Sequence, residues 1–211
     1  MRLLAEDDPA LKRAVAIAMA RVAGPAAGRG HPGQDAAEAR WSPQSKRHVA
    51  GLMRINHAGE IAAQALYHGQ AAVAREAGLR AQLLLAADEE RAHLRWCAER
   101  LAELGEPTSR LAALWYAGSF AIGAAAGLSG DSSGLGFVEE TERQVVAHLD
   151  EHLQQLPQDD ARSRAILEAM RRDEARHGAD ARRAGARALP APVRALMAAT
   201  ARIMKFGAYR L

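Results

Sequence analysis

The sequence predicts an all-α fold: a four-helix bundle with a long crossover helix and an extra C-terminal helix. Three observations predict it. Aromatics are only 4 % of the chain, Ala, Leu and Arg abound, and strand-like β-branched runs are absent. Apolar residues recur at i, i+3 and i+7 along several stretches. Gly and Pro punctuate those stretches at Gly105, Pro107, Pro157 and Pro190. A chain of 211 residues makes one domain with a real core.

Residues 1–40 read as an N-terminal appendage and linker, and 41–211 as the bundle. Asp8 as N-cap and Pro9 in the first turn predict a short helix to Val22. Ala14–Ala20 resembles a signal-peptide core, but Glu6, Asp7 and Asp8 stand where a basic segment belongs. Gly24 to Gly33, with Pro25 and Pro32, is a linker. A helix then runs from Gln44 to Ala77, with Gly59 a candidate for close packing. A second runs from Leu79 to Leu104, stopped by Gly105 and Pro107.

Leu111 to Gly130 contains 20 residues and no charge. About 20 residues suffice to span a membrane, yet Gly118, Gly123, Gly127 and many Ala make this stretch weakly lipophilic. A 20-residue helix also covers about 30 Å, the length of a bundle. It therefore reads as the crossover between two antiparallel helix pairs. Its Leu side chains, Trp115, Tyr116 and Phe120 would form an apolar surface for a membrane, or the wall of a channel for a lipid-like substrate. Ser129–Gly134 is a loop. Helices follow from Leu135 to Leu156, from Asp159 to about Arg187, and from Pro190 to about Met204.

Two Glu-x-x-His pairs carry the chemistry: Glu90 with His93, and Glu174 with His177. Positions i and i+3 share a helix face, so a carboxylate and an imidazole so placed can bind one metal ion together. With eight His among 211 residues, roughly 0.6 such pairs arise by chance, so the motif needs its context. Both pairs interrupt apolar stripes. The first stripe is Leu83, Ala86, Cys97, Leu101 and Leu104; the second is Leu167, Met170, Ala181 and Ala184. Buried carboxylates are normally paired or bound to metal.

Two further carboxylates lie at near-equal offsets, Glu60 thirty residues before Glu90 and Glu142 thirty-two before Glu174. Glu142 shares a stripe with Val138, Val145, Leu149, Leu153 and Leu156, although Glu139 and Glu140 compete for the role. Two Glu-x-x-His helices plus one Glu from each of two others make the two-metal carboxylate site of ferritin-like bundles. Four Glu and two neutral His balance two divalent cations, and O/N donors without thiolate suit iron or manganese better than structural zinc.

The other histidines read less sharply. His57 precedes Glu60 by three, the reverse order, and reads as a packed or hydrogen-bonding neighbour. His68 reads as exposed. His148 is six residues after Glu142, about 240° around the helix, and either flanks the site as a hydrogen-bonding partner or is half-exposed. Cys97 as the single Cys excludes an intramolecular disulfide and a Cys-based cluster, and reads as a small buried filler. Net charge +3 and a pI near 9.4 permit an anionic membrane surface or nucleic acid and establish neither.

Four segments together, Met53-Arg-Ile-Asn-His-Ala-Gly-Glu60, Asp88-Glu-Glu-Arg-Ala-His93, Glu142-Arg-Gln-Val-Val-Ala-His148 and Asp173-Glu-Ala-Arg-His177, resemble the demethoxyubiquinone hydroxylases of ubiquinone biosynthesis. The resemblance covers about Ser45 to Leu211, and the Asn-His-Ala-Gly-Glu run is its specific part. It implies a ferritin-like di-iron monooxygenase that uses two Fe²⁺ ions and O₂ to hydroxylate a polyprenyl-methoxy-methyl-benzoquinol. It makes Glu60, Glu90, His93, Glu142, Glu174 and His177 the iron ligands, with His148 near the site. The family has Tyr directly after that His and this chain has Leu149, which puts a tyrosine role there in doubt. The resemblance also implies a peripheral enzyme at the cytoplasmic face of the cell membrane, without nucleic acid, and leaves open a homo-oligomer or a quinone-biosynthesis complex. Three rival readings are a ferritin-like iron-storage protein, a tRNA-modifying hydroxylase, and a helical interaction module whose Glu-x-x-His pairs are accidental.

Overall fold

The computed structural model describes residues 30–211, so the expected helix Pro9–Val22 and most of the linker lie outside the described residues. Among the described residues there are six helices and no strand: α1 Pro43–Val73, α2 Ala77–Glu103, α3 Ala112–Leu128, α4 Asp131–Gln155, α5 Ala161–Arg183 and α6 Ala191–Arg210.

Local chemistry sets the ends. Ser42 caps α1, its hydroxyl accepting from the Ser45 N–H at 3.0 Å, with Pro43 in the first turn. Asp160 caps α5 through the Ser163 N–H. Gly105 ends α2 at φ 66°, with Glu106 N–H donating to the Leu101 carbonyl and Gly105 N–H to that of Ala102. Gly185, at φ 98°, ends α5 in the same way.

α2 packs antiparallel on α1, and α5 on α4. α3 runs parallel to α1, from the end where α2 stops to the end where α4 begins, which makes it the crossover. Glycines allow this close approach. A Cβ on Gly123 would collide with the Leu66 backbone, one on Gly69 with the Phe120 carbonyl, and one on Gly127 with Val73. Gly59 faces open space, so it is not the close-packing glycine the sequence suggested. At 17 residues α3 is shorter than expected, and none of the described helices is long and apolar enough to cross a membrane.

Three further expectations change. The stretch 129–134 is not all loop: α4 begins at Asp131, because Gly130 turns the chain at φ 105° and Asp131 complements the helix N-terminus. The last helix continues past Met204 to Arg210, because Ala208 packs on Ile55 and Ala58, and the Tyr209 hydroxyl meets His48 Nδ1 at 2.9 Å. The apolar surface of α3 is also different in composition. Tyr116 turns inward and Trp115 packs against Gly207, leaving Leu114, Ile122 and Leu128 outside, with Phe120 at the margin. α6 adds Leu196, Ile203 and Phe206, all exposed.

The core has two apolar parts. One gathers Met53, Trp96, Cys97, Leu101, Leu149, Leu167 and Met170. The other gathers Tyr67, Ala71, Leu83, Ala87, Val138 and Ala181. Along α1, α2, α4 and α5 the sequence-predicted metal residues fall between these two sets. Residues 30–42 lie against the bundle: the fully buried Arg100 binds Glu38, Glu103, Asp160 and Ser163, and Arg162 donates to the Ala36 carbonyl.

The glycine geometry gives a paired expectation. Gly123→Val overpacks the α1–α3 contact and costs about 1–3 kcal/mol. Gly59→Ala meets no neighbour and gains roughly 0.5–1 kcal/mol from helix propensity. Thermal unfolding of the two variants checks both signs.

Candidate metal centre

Glu90 and His93 stand one turn apart on α2, and Glu174 and His177 one turn apart on α5. Glu60 comes from α1 and Glu142 from α4. All six are buried, with fractional exposures from 0 % to 6 %. His93 Nδ1 lies 2.8 Å from Glu90 Oε2, 2.9 Å from Glu174 Oε1 and 3.4 Å from Glu60 Oε2. His177 Nδ1 lies 3.0 Å from Glu90 Oε1 and 3.1 Å from Glu174 Oε2. Glu90 and Glu174 therefore each turn one oxygen to one imidazole and the second oxygen to the other.

Glu60 flanks the His93 side. Glu142 flanks the His177 side, where a Cβ on Gly178 would sit 3.4 Å from the Glu142 Cβ. Tyr67 holds Glu142, its hydroxyl donating to Oε1 at 2.7 Å. Donor atoms of Glu60, Glu90, His93 and Glu174 all fall within 4.8 Å of one another.

The outer ring nitrogens are also taken. His93 Nε2 meets Asp173 Oδ2 at 3.0 Å, and His177 Nε2 meets Glu89 Oε2 at 2.7 Å. The arrangement is crosswise: the acid just before each shared Glu orients the imidazole of the opposite helix. A carboxylate on Nε2 fixes the proton there and leaves Nδ1 as the lone-pair donor, as ligating histidines require. Tyr67, Asp173 and Glu89 were not singled out from sequence. The available signal was the doubled acid, Glu89-Glu90 and Asp173-Glu174.

Without a cation the electrostatics are costly. Burial, then the charges of neighbouring carboxylates, pushes Glu142 well above the usual carboxylate range. Glu60 also rises, by burial, against the hydrogen bond from His93. Burial works against the charged imidazoles too, but the surrounding carboxylates prevail: His93 is raised, and His177 is pushed up to about 12. Burial would raise Glu90, yet His93 and His177 hold it below its ordinary value.

Donor chemistry and satisfaction both fit a pair of divalent cations. Each imidazole Nδ1 carries at most one proton, too few for the oxygens around it. Glu142 Oε2 has no hydrogen-bond partner, and Glu60 Oε2, Glu90 Oε1 and Glu174 Oε1 have near them only an imidazole Nδ1 that another carboxylate oxygen already occupies. Native interiors seldom leave such groups unpaired. Four carboxylates and two Nδ1 donors, without thiolate, are hard and borderline ligands suited to iron or manganese.

The remaining histidines and acids sort themselves. His148 packs beside His152, ring centroids 5.1 Å apart. Burial, then the charges of His152 and Lys205, lowers it to about 3. His152 Nδ1 meets Asn56 Oδ1 at 2.9 Å, and no hydrogen bond or ion pair joins His148 to the six residues. His57 is buried and burial lowers it to about 4. His68 is half-buried rather than exposed, because its Nδ1 meets the Tyr116 hydroxyl at 3.0 Å. Glu140 is occupied by Arg143 and Gln144, and Glu139 by Arg182, so neither competes with Glu142.

A cavity of about 500 Å³ reaches this cluster at Tyr67 and His177. Leu79, Leu83, Leu135 and Val138 give it apolar walls. None of its lining residues belongs to α3, so the crossover helix does not wall this approach. The cavity passes instead between α2, α4 and α5, where the bundle's two helix pairs face each other.

The chain matches the family model described as ubiquinone biosynthesis protein COQ7 over residues 47–207. It is 58 % identical over 187 residues to the 3-demethoxyubiquinol 3-hydroxylase of Xanthomonas euvesicatoria pv. vesicatoria, covering 89 % of this chain and 86 % of that one. The protein of the same name from Xanthomonas oryzae pv. oryzae is 59 % identical, with the same coverage. That of Cupriavidus taiwanensis is 61 % identical over 170 residues, covering 81 % of this chain and 82 % of the other.

The titrations give a signed expectation. The raised groups Glu60, Glu142, His93 and His177 contribute stability that is fully present below their unfolded values and lost as pH rises through the folded ones. Between the unfolded histidine value of 6.5 and the folded value of about 12 for His177, metal-free protein loses stability with rising pH. A bound cation replaces those protons, so Mn²⁺ or Fe²⁺ releases protons on binding and its stabilisation grows with pH. At a hundredfold excess over Kd the gain is about 2.7 kcal/mol, or roughly 5–10 °C in Tm for a chain of this size. Melting with and without EDTA from pH 6.5 to 9 measures it.

Proposed function

The chain belongs to the COQ7 family of ubiquinone biosynthesis proteins, and on that premise we propose that it hydroxylates the ring of a demethoxyubiquinol with O₂ at a pair of iron ions. The observation that carries the reading is the sharing of Glu90 and Glu174 between two imidazoles, with more buried carboxylate oxygens around the two Nδ1 atoms than two protons can serve. The names of its relatives supply the substrate class. The ring C–H becomes C–OH; one oxygen of O₂ enters the ring and the other leaves as water, with two electrons and two protons from a reductant. When bound, two Fe²⁺ ions supply electrons that activate O₂, chemistry no protein side chain offers.

The chain's own residues do the rest. Glu60 and His93 would hold one ion and Glu142 and His177 the other, with Glu90 and Glu174 facing both imidazoles. Asp173 and Glu89 fix the two imidazoles in the tautomer that ligates through Nδ1. Tyr67 holds Glu142 by its hydroxyl and stands at the inner end of the apolar cavity. A ring entering past Leu83 and Val138 meets the cluster there, screened from bulk water. The two apolar parts of the core keep water from the carboxylates on either side.

A polyprenyl tail partitions into a bilayer, so the same reading includes a peripheral seat at the cytoplasmic face of the cell membrane. The exposed apolar residues of α3 and α6 support it, Leu114, Ile122 and Leu128 on the first and Leu196, Ile203 and Phe206 on the second.

Purified protein should bind about two irons per chain, the stoichiometry of a two-metal site, and convert a short-chain demethoxyquinol to the hydroxylated product. Glu90→Gln and His177→Ala should abolish iron binding. Asp173→Asn and Glu89→Gln should weaken it about 10–100-fold, the usual cost of losing an outer carboxylate. Iron analysis and product chromatography decide, and wild-type protein without iron or without product rejects the reading.

A further inference from the structure

A second cavity, of about 680 Å³, lies at the end of the bundle where α6 returns to α1. Its lining is cationic. Arg47 and Arg54 of α1, Arg110 of the turn before α3 and Arg210 of α6 all face it, with His48 and Tyr209 between them. Glu106 is its one acidic side chain. The excess stays positive even with a free carboxylate at Leu211.

The four arginines are not equivalent. Arg54 is buried and anchored, its Nε donating to the Pro107 carbonyl at 2.9 Å, Nη1 to the Tyr209 carbonyl at 3.1 Å and Nη2 to Glu106 at 3.2 Å. It builds the cavity floor and neutralises Glu106. Arg47 and Arg110 are exposed and have no carboxylate partner among the described residues. Arg210 is exposed as well; it donates to the Phe206 carbonyl at 3.1 Å and lies over the Phe206 ring at 3.8 Å. Three guanidinium groups without acidic partners thus converge on one concavity around an anchored fourth. Like charges held together cost free energy unless an anion joins them, and a guanidinium fork suits phosphate oxygens.

Its rim has an apolar part: Leu211, which lines the cavity, is 50 % exposed, and Phe206, against the Arg210 guanidinium, is 65 % exposed. We propose that this arginine-lined cavity is a binding site for a phosphate group. The phosphate can come from an anionic phospholipid headgroup, whose chains would meet the apolar rim, or from a soluble phosphate compound. The proposal deepens the membrane part of the reading above and is independent of the metal pair, because it is tested by binding alone.

The test uses full-length protein, sedimentation with phosphatidylglycerol–phosphatidylcholine vesicles against pure phosphatidylcholine vesicles, and calorimetric titration with inorganic pyrophosphate. The double variant Arg47→Gln/Arg110→Gln should bind about 10–30-fold more weakly, from roughly a factor of five per arginine at an anionic surface. Glu106→Gln, which removes the opposing charge, should bind more tightly. A control, Arg75→Gln/Arg172→Gln, removes the same charge elsewhere. Binding to the anionic vesicles alone, lost in the cavity variant and kept in the control, assigns the lipid source. Binding of pyrophosphate with the same dependence assigns the soluble one. No binding of either, or equal loss in the cavity and control variants, overturns the site. A vesicle-binding wild type without iron or product would sink the hydroxylase reading and leave this one standing.

Discussion

Four carboxylates and two imidazoles share one dry space in this bundle, and their charge has to be neutralised there. Burial alone would drive Glu60 and Glu142 to their neutral forms, while the same burial is resisted at His93 and His177 by the carboxylates around them. Protons can meet part of this demand, but one proton on each Nδ1 cannot satisfy the three carboxylates around His93 and the two around His177. Two divalent cations would satisfy all of them with zero net charge, which a low-dielectric interior tolerates best. Much of the surrounding structure follows from keeping that balance. Apolar layers close the cluster on both sides, and Tyr67, Asp173 and Glu89 hold its outer atoms.

The crossover helix serves the same end. The two Glu-x-x-His helices must be partners across the bundle, so between α2 and α4 the chain has to cross from the end where α2 stops to the end where α4 begins. α3 does this by lying along α1 at glycine-to-backbone distance. That contact leaves no room for a side chain at Gly123 and Gly127 of α3 or at Gly69 of α1. The outer face of α3 remains apolar, and α6 extends that face with Leu196, Ile203 and Phe206.

The residues of the buried cluster were legible from sequence because a carboxylate or imidazole on an apolar stripe breaks the apolar pattern and incurs the cost of burying charge at once. A Glu and a His one turn apart in a run of Leu, Ala and Met have few explanations other than a buried cation, and the near-equal offsets of Glu60 and Glu142 identified their partners. The short family words added the substrate class. Helix ends were legible where capping chemistry is local, as at Gly105, whereas the helix expected to run to Arg187 ends at Arg183, before Gly185. They were misread where tertiary contact decides, as at Asp131 and beyond Met204. Gly59 drew notice for its place beside a ligand, whereas the glycines that matter are those facing another backbone.

The sequence by itself determined helix periodicity, the identity of the six side chains that meet in the buried cluster and the charge-free stretch, because each depends on residues within a few turns of one another. Only the tertiary structure decided which carboxylates are shared between the imidazoles, and that Asp173 and Glu89 reach across to the opposite helix's histidine. It also decided that Tyr116 faces inward, that the approach to the cluster avoids α3, and that four arginines distant in sequence meet at one end. Those facts depend on distances between elements, and a one-dimensional pattern carries none.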